Sequence, residues 1–255
     1  MTAEKAGAIM GGRGGASGFP TNAPVVPAGP QSAAETKDLN ELAQYMSNVG
    51  ITVDTASLSG LTFENVRDAA AGIERIIKEF PQAVLSFNQL KGQSLKHGVL
   101  ACASYGGNIM LGEHYFSKTE DGLNRTYDNS TSKGFHPAGT TKTDIATHEA
   151  GHVLDSALIH KMIPGNDFYS RLERAEAWNK GKIAGKVVSE ACRAAKKTPE
   201  GKGKKNDELI RSVSGYATKN RSETLAECVA DYAANGANAK PLSVAVWNIL
   251  KRELG

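Results

Sequence analysis

The chain has 255 residues, of which 40% are hydrophobic and 22% charged, and its formal net charge at pH 7 is +3. This length suits one catalytic domain with accessory segments, and the composition allows a sizeable core. No apolar run approaches the length of a membrane span, and residues 1–12 lack the features of a secretory signal peptide. We therefore expect a cytoplasmic protein without a membrane partner. The three cysteines are far apart and form no C-x-x-C pair, which indicates free thiols in a reducing compartment.

The first 36 residues are rich in Gly, Ala, Pro and Ser and contain almost no large apolar residues. This composition predicts a flexible tail, so we place the folded domain at residues 37–255. A short helix is expected at 38–47, followed by an extended piece at 51–53. The next segment, 63–80, is strongly amphipathic and predicts a helix that ends before Pro81.

Three strands are expected after this helix, at 83–87, 98–104 and 108–111. Residues 105–107 form a turn signal that predicts a hairpin between the last two strands. An edge strand of such a sheet can bind an extended peptide by adding it to the sheet. An ordinary covered strand is the alternative.

Residues 148–152 read His-Glu-Ala-Gly-His and match H-E-x-x-H, the signature of a zinc-binding helix. Residues four apart lie on one helical face, so His148 and His152 can aim their ring nitrogens at one point, with Glu149 beside them. The flanking residues predict a helix over 144–160, within which Gly151 suggests close approach by another backbone. A helix with ordinary polar histidines and a surface carboxylate is the alternative.

A catalytic zinc ion needs a third protein ligand. His160 lies about 12 Å along the helix axis from His152 and cannot reach the same ion. Asp155 and Leu158 stand where a third-histidine motif requires Gly and His, so that class of site is excluded. We expect Asp155 at the surface or behind a ligand histidine.

The region from about 165 to 211 is the basic part of the chain, with 12 Lys or Arg against 6 Asp or Glu between residues 171 and 211. Residues 167–197 are expected to be helical, with a break at Gly181 or Gly185. We interpret the region as a solvated insertion; the alternative is contact with nucleic acid or with an acidic partner or substrate. Because the net charge is only +3, we expect no nucleic-acid binding.

Candidate third ligands lie downstream, where Glu223, Glu227 and Asp231 recur every four residues and form one acidic stripe on a predicted helix. Negative charges at this spacing repel one another, and a bound cation would compensate for the repulsion. In such a site one glutamate is a metal ligand and the next orients a ligand histidine. A capping box from Asn220 to Glu223 is an alternative role for Glu223. A final helix is expected at 242–254, after Pro241.

The combination of His148-Glu149-x-x-His152 with Ser-x-Tyr-Ala-x-x-Asn-x-x-Glu-x-x-Ala-Glu, which begins at Ser214, resembles the gluzincin-type metallopeptidases. The closest resemblance is to the anthrax lethal factor catalytic domain and to similar domains of bacteriophage minor head proteins. It spans residues 80–232, including 108–116 and 134–140. It implies a zincin-like α+β fold, mostly helical, with a small mixed sheet next to the HExxH helix.

The resemblance also implies roles for individual residues. Glu223 corresponds to the third zinc ligand, and Tyr216, seven residues earlier, to a residue that stabilises the developing oxyanion. This match favours Glu223 over Glu227, which would orient a ligand histidine. For Tyr216 the alternative is a partly buried tyrosine that anchors the turn before the helix.

The expected function is that of a zinc metalloendopeptidase acting on a protein or peptide, with Zn²⁺ as cofactor and Glu149 as general base. The phage resemblance adds a virion-associated location to the cytoplasmic one. It also suggests an alternative, a virion or assembly protein whose zinc only stabilises a non-catalytic domain. A third hypothesis is an amidase-like zinc hydrolase acting on cell-wall peptides.

Overall fold

The computed structural model describes residues 29–255, which form an α+β fold of eleven α-helices and one four-stranded mixed sheet. The predicted fold class, mostly helical with a small mixed sheet, is confirmed at this level. No helix within the described residues is long and apolar enough to cross a membrane. The helices are α1 (Leu39–Val49), α2 (Thr55–Leu58), α3 (Phe63–Glu79), α4 (Glu113–Phe116), α5 (Glu120–Ser132), α6 (Thr143–Met162), α7 (Phe168–Asn179), α8 (Lys182–Ala195), α9 (Asn206–Val213), α10 (Arg221–Asn235) and α11 (Pro241–Leu254).

The folded part of the chain begins before residue 37. Ala33 is fully buried in a short 3-10 turn, and its backbone N–H donates to Oε2 of Glu74 at 2.8 Å. The predicted tail boundary at residue 36 is therefore several residues too late. The rest of the predicted tail, residues 1–28, lies outside the described residues.

Two of the predicted N-terminal helices form as expected. Asp38 caps α1 by accepting hydrogen bonds from the backbone of Asn40 and Glu41. Helix α3 buries the predicted apolar side and ends directly before the 3-10 turn that Pro81 begins. Both helices are specified by local signals, a cap for one and an apolar stripe for the other.

The sheet has the strand order β1-β2-β4-β3, formed by β1 (Thr52–Val53), β2 (Gln89–Gln93), β3 (Ala101–Ala103) and β4 (Ile109–Gly112). Strands β1, β2 and β4 run parallel to one another, whereas β3 pairs with β4 antiparallel, as the predicted hairpin requires. In this sheet β3 is an edge strand, and it lies beside α6.

One predicted strand is wrong, and one observed strand was not predicted. Residues 83–87 belong mostly to a 3-10 turn, Pro81–Ser86, in which Leu85 is 94% exposed. Ala83 and Phe87 of this apolar run are buried, but they reach the core from a turn and not from a strand. Strand β2 was not predicted because it contains Gln, Lys and Gly, although its buried positions alternate as a strand requires.

Helix α6 is the central element of the fold, since 15 of its 20 residues are buried and it packs against α3 and α10. It extends slightly beyond the predicted range 144–160. A Cβ atom built on Gly151 would lie 2.9 Å from Cα of Ala226 in α10. The predicted close approach of another backbone at Gly151 is therefore confirmed.

The basic region is only partly solvated. The predicted break falls at Gly181, which has φ 57° and separates α7 from α8. Helix α8 packs against α10 and α11, so the prediction of a solvated insertion is wrong for this helix. The lysines at 202, 204 and 205 are exposed. The buried residues of α8 are Ile183, Ala184, Val187, Val188, Ala191, Cys192 and Ala195.

Helix α11 agrees with the predicted final helix, whereas α5 and α9 were not predicted. Helix α5 buries only two of its 13 residues, and α9 has only eight residues, so neither gives a long apolar pattern in the sequence. The three cysteines all lie in the described part of the chain and are unpaired, as predicted.

Candidate metal centre

Helices α6 and α10 bring together the three residues predicted as metal ligands. Oε2 of Glu223 lies 3.1 Å from Nε2 of His148 and 3.2 Å from Nε2 of His152. Glu223 and His148 are buried, and His152 is half-buried. Their ligating atoms all lie within 4.8 Å of one another, so the three side chains form a group that can hold a metal ion.

The backbone of Glu223 has a second role at the start of α10. Its N–H donates to Oδ1 of Asn220 at 2.9 Å, so Asn220 caps the helix, which is one half of the predicted capping box. The Glu223 side chain does not return to the cap but extends to the histidines. The cap therefore satisfies the backbone N–H of Glu223, and the carboxylate of Glu223 remains available to the site.

Glu227 lies behind the histidines rather than among the three ligating atoms. Its Oε1 is 2.9 Å from Nδ1 of His148 and 3.2 Å from Nδ1 of His136. Its Oε2 accepts a hydrogen bond of 2.6 Å from Oγ of Ser214. Burial opposes ionisation of Glu227, but the contacts with His136 and His148 outweigh it and lower its pKa to about 2. Glu227 is therefore placed to orient His148.

The contacts of His148 show that a cation fits this site. Nδ1 lies 2.9 Å from Oε1 of the ionised Glu227, although it is not aligned for a hydrogen bond. The negative charge of Glu227 favours a proton on Nδ1, which leaves a lone pair on Nε2 of the neutral ring. That lone pair faces the Glu223 carboxylate, and two acceptors at 3.1 Å repel unless a proton or metal ion binds both. In the protein alone, burial lowers the pKa of His148, but the two glutamates outweigh this effect and raise it to about 10.

Glu149 follows His148 on α6 and is 7% exposed. Burial raises the pKa of its carboxyl group, while His148 and His152 act in the opposite direction. Its carboxyl group is therefore a stronger base than an exposed glutamate, as a proton acceptor at this position requires.

Tyr216 and Lys219 contact the second carboxylate oxygen of Glu223, Oε1. The Tyr216 hydroxyl lies 3.1 Å from Oε1 of Glu223, and Nζ of Lys219 lies 2.8 Å from that hydroxyl. The sequence indicated Tyr216 but not Lys219, although Lys219 stands four residues before Glu223. His136 and Ser214 were also not assigned to Glu227, and no local spacing relates either of them to it.

Several candidate residues lie elsewhere. His160 stacks on the ring of Tyr105, with ring centres 5.3 Å apart. Asp231 accepts hydrogen bonds from Asn235 and from the backbone of Lys240, near the end of α10. Asp155 is 1% exposed, so the alternative that placed it at the surface is wrong.

Two clefts meet at the site, and both are lined by His148, Glu149 and Tyr216. The first has a volume of about 290 Å³ and is largely apolar and aromatic. The second has a volume of about 380 Å³ and is more polar. Residues of β3 line both clefts, so the edge strand borders the candidate site. Other residues of the first cleft include Leu100, Tyr115, Tyr127, Phe135 and Ile145, and the second includes Cys102, His152, Trp178, Lys219 and Ser222.

No protein-family model, curated protein or solved structure matches the chain.

Proposed function

We propose that the protein is a zinc-dependent hydrolase that cleaves peptide bonds, with His148, His152 and Glu223 as the metal ligands. One observation carries the proposal: a single carboxylate oxygen of Glu223 lies 3.1 and 3.2 Å from the Nε2 atoms of both histidines. Two imidazole nitrogens and one carboxylate oxygen are a donor set of catalytic zinc sites, which keep a fourth position open. The resemblance to gluzincin-type metallopeptidases and their zincin-like fold agrees with this donor set.

Zinc bound by this set would act as a Lewis acid and would lower the pKa of a water molecule in its open position toward about 7. Glu149 then accepts a proton from the attacking water at its carboxylate and transfers it to the leaving amine. Its place next to His148, its burial and its raised pKa support this role. The Glu149 side chain also lines both clefts, so a substrate in either one reaches it.

Tyr216 is the proposed donor to the oxyanion that forms on the substrate carbonyl. Its hydroxyl lies at the edge of the metal-binding group, 3.1 Å from the Glu223 carboxylate, and its ring lines both clefts. Its pKa is raised, chiefly by burial, so the phenol stays protonated at neutral pH and can donate.

The substrate class follows from the strand beside the site. Strand β3 is paired on one side only and borders both clefts, so an extended peptide can add to its free edge. This arrangement brings the peptide backbone past Glu149. A protein or peptide is therefore the proposed substrate.

Metal analysis tests whether His148, His152 and Glu223 bind zinc. Purified wild-type protein is expected to bind about one zinc ion per chain, while His148→Ala and Glu223→Ala lose it. His160→Ala is the matched control, because His160 lies on the same helix but stacks on Tyr105. A folded wild-type protein that binds no zinc would contradict the proposal.

Substrate assays then separate the classes of function. Zinc binding with hydrolysis of a casein-type substrate supports a peptidase, whereas activity confined to peptidoglycan fragments supports an amidase-like enzyme. Zinc that raises thermal stability without any hydrolysis would support a non-catalytic virion or assembly protein.

A further inference from the structure

The two oxygens of the Glu223 carboxylate have different partners. Oε2 faces the two histidines, at 3.1 and 3.2 Å. Oε1 instead lies 2.9 Å from Nζ of Lys219 and 3.1 Å from the Tyr216 hydroxyl. Only one carboxylate oxygen of Glu223 therefore faces the two histidines.

Lys219 joins the two partners of that outer oxygen. Its Nζ donates to the Tyr216 hydroxyl at 2.8 Å and lies 4.6 Å from the centre of the tyrosine ring. The Lys219 side chain is 54% exposed, whereas that of Glu223 is 12% exposed. An ammonium group at the surface thus contacts two groups of the buried site.

The position of Lys219 in the chain makes these contacts notable. It precedes Asn220, the cap of α10, and so lies at the positive end of the helix dipole. A cation there is disfavoured by the dipole, by about 0.3–1 kcal/mol at an exposed site. Helix stability therefore does not explain a lysine at this position, and contact with Glu223 and Tyr216 does.

We propose that Lys219 is a positioning residue for both Glu223 and Tyr216, an inference that rests on the proposed function. By binding Oε1, Lys219 leaves Oε2 as the one oxygen that Glu223 offers to the metal ion. By donating to the Tyr216 hydroxyl, it occupies a lone pair of that oxygen and directs the hydroxyl proton away from itself. In this structure that proton is donated to Oε1 of Glu223 at 3.1 Å, and it passes to the substrate oxyanion when the hydroxyl turns from Glu223 to the substrate.

Removal of the ammonium group has two separate consequences. Oε1 loses its cation, so Glu223 is free to bind a metal ion through both oxygens. The Tyr216 hydroxyl loses the partner that directs its proton. Metal affinity does not fall, because Lys219 competes with the metal ion for the negative charge of Glu223.

Cobalt substitution tests the first consequence without an activity assay. Co²⁺ bound in place of zinc has visible absorption whose intensity and position depend on the number and geometry of its ligands. Lys219→Met is expected to bind Co²⁺ at least as tightly as wild type, in competition with a chelator, but with a weaker spectrum of higher coordination number. Lys219→Arg keeps a cation near Oε1 and is expected to retain the wild-type spectrum.

Lys78→Met is a matched control. Lys78 forms an ion pair with Glu74, a buried glutamate that also accepts a hydrogen bond of 2.5 Å from the Tyr45 hydroxyl. This lysine–glutamate–tyrosine group lies outside the candidate site, so Lys78→Met should leave the Co²⁺ spectrum unchanged.

Kinetics test the second consequence. Lys219→Met is expected to lower kcat by about tenfold to a hundredfold with KM nearly unchanged, and Lys219→Arg to recover part of the loss. In Tyr216→Phe, the same lysine substitution should lower kcat by a smaller factor than in wild type, because the hydroxyl that Lys219 directs is gone and only its contact with Glu223 remains.

The outcomes distinguish a failure of the proposed metal site from a failure of the proposed role of Lys219. A wild-type protein that binds no Co²⁺ would overturn the proposed metal site together with the role of Lys219. A wild-type protein that binds Co²⁺ and hydrolyses peptides, while Lys219→Met keeps the same spectrum and the same kcat, would overturn the role of Lys219 alone. If Lys219→Met does not fold by circular dichroism, Lys219→Gln replaces it under the same criteria.

Discussion

Gly151 in α6 lies against the backbone of Ala226 in α10, so closely that a Cβ atom on Gly151 would stand 2.9 Å from Cα of Ala226. The same pair of helices holds the candidate site, since His148 and His152 flank Gly151 and Glu223 precedes Ala226 by three residues. The missing side chain of Gly151 thus sets the distance across which Glu223 reaches the histidines.

Gly151→Ala is expected to destabilise the protein by about 1–3 kcal/mol, because the added methyl group forces the two helices apart. Urea denaturation measures this change. Gly151→Ala should also weaken metal binding, because it moves Glu223 away from the histidines on α6.

Gly185→Ala provides the matched control within α8. A Cβ on Gly185 would have only an ordinary contact, 3.8 Å from Cγ of Arg221. Because Ala is a better helix former than Gly, this variant should be as stable as wild type or more stable by up to about 1 kcal/mol. Equal stability of Gly151→Ala and Gly185→Ala would refute the packing argument.

Glu149→Gln is expected to lower hydrolysis by about 10²–10⁴-fold, because the amide cannot accept a proton from water. Zinc content should stay near the wild-type value, since Glu149 is not among the three grouped ligands. Turnover of a casein-type substrate and metal analysis of the same sample provide the two measurements. Wild-type turnover in this variant would show that another group is the base.

Glu227→Gln is expected to weaken zinc binding by about 10–100-fold, as measured by chelator competition. The neutral amide no longer stabilises the proton on Nδ1 of His148, which lies 2.9 Å from Oε1 of Glu227. Asp231→Asn is the control, since Asp231 is one turn further along α10 and contacts Asn235 and Lys240 instead. Equal zinc affinities for both variants would contradict the role of Glu227.

Asp155→Asn is expected to stabilise the metal-free protein at pH 8 by up to about 3 kcal/mol. Burial raises the pKa of Asp155 from 3.8 to about 6, although His152 and the backbone of Ala184 favour its ionised form. Because the folded pKa exceeds the unfolded one, the stabilising contribution of the protonated group is complete below pH 3.8 and is lost as the pH rises through about 6. The uncharged Asn avoids the cost of a buried charge above this range.

Urea denaturation of both proteins between pH 4 and pH 8, with a chelator present, checks this expectation. The advantage of Asp155→Asn should shrink as the pH falls, and Asp128→Asn, at an exposed position of α5, controls for the amide itself. A variant less stable than wild type at pH 8 would mean that the ionised Asp155 has a favourable partner.

Local patterns in the sequence predicted a large part of the fold. The amphipathic stripe of α3, the break at Gly181 and the hairpin of β3 and β4 all agree with the structure. Each depends on residues close together in the chain, where backbone geometry alone relates their positions. The wrong predictions arise where tertiary packing decides: residues 83–87 lie mostly in a 3-10 turn that buries Ala83 and exposes Leu85, and the basic segment around α8 is partly core.

The candidate site divides in the same way. The H-E-x-x-H spacing places His148 and His152 on one helical face from sequence alone, since residues four apart are neighbours on any α-helix. The acidic stripe left Glu223 and Glu227 as alternatives, and only the resemblance favoured Glu223. The roles of Lys219, Ser214 and His136 were not predicted.

By itself, the sequence determined the helix that carries two histidines with a glutamate beside them, because that arrangement requires only the period of an α-helix. The tertiary structure decided which carboxylate meets them. Glu223 is 75 residues from His148, and Oε2 reaches both histidines only because α6 and α10 pack together at Gly151. It also decided the partner of each oxygen, since contacts across that distance depend on packing and have no period in the sequence.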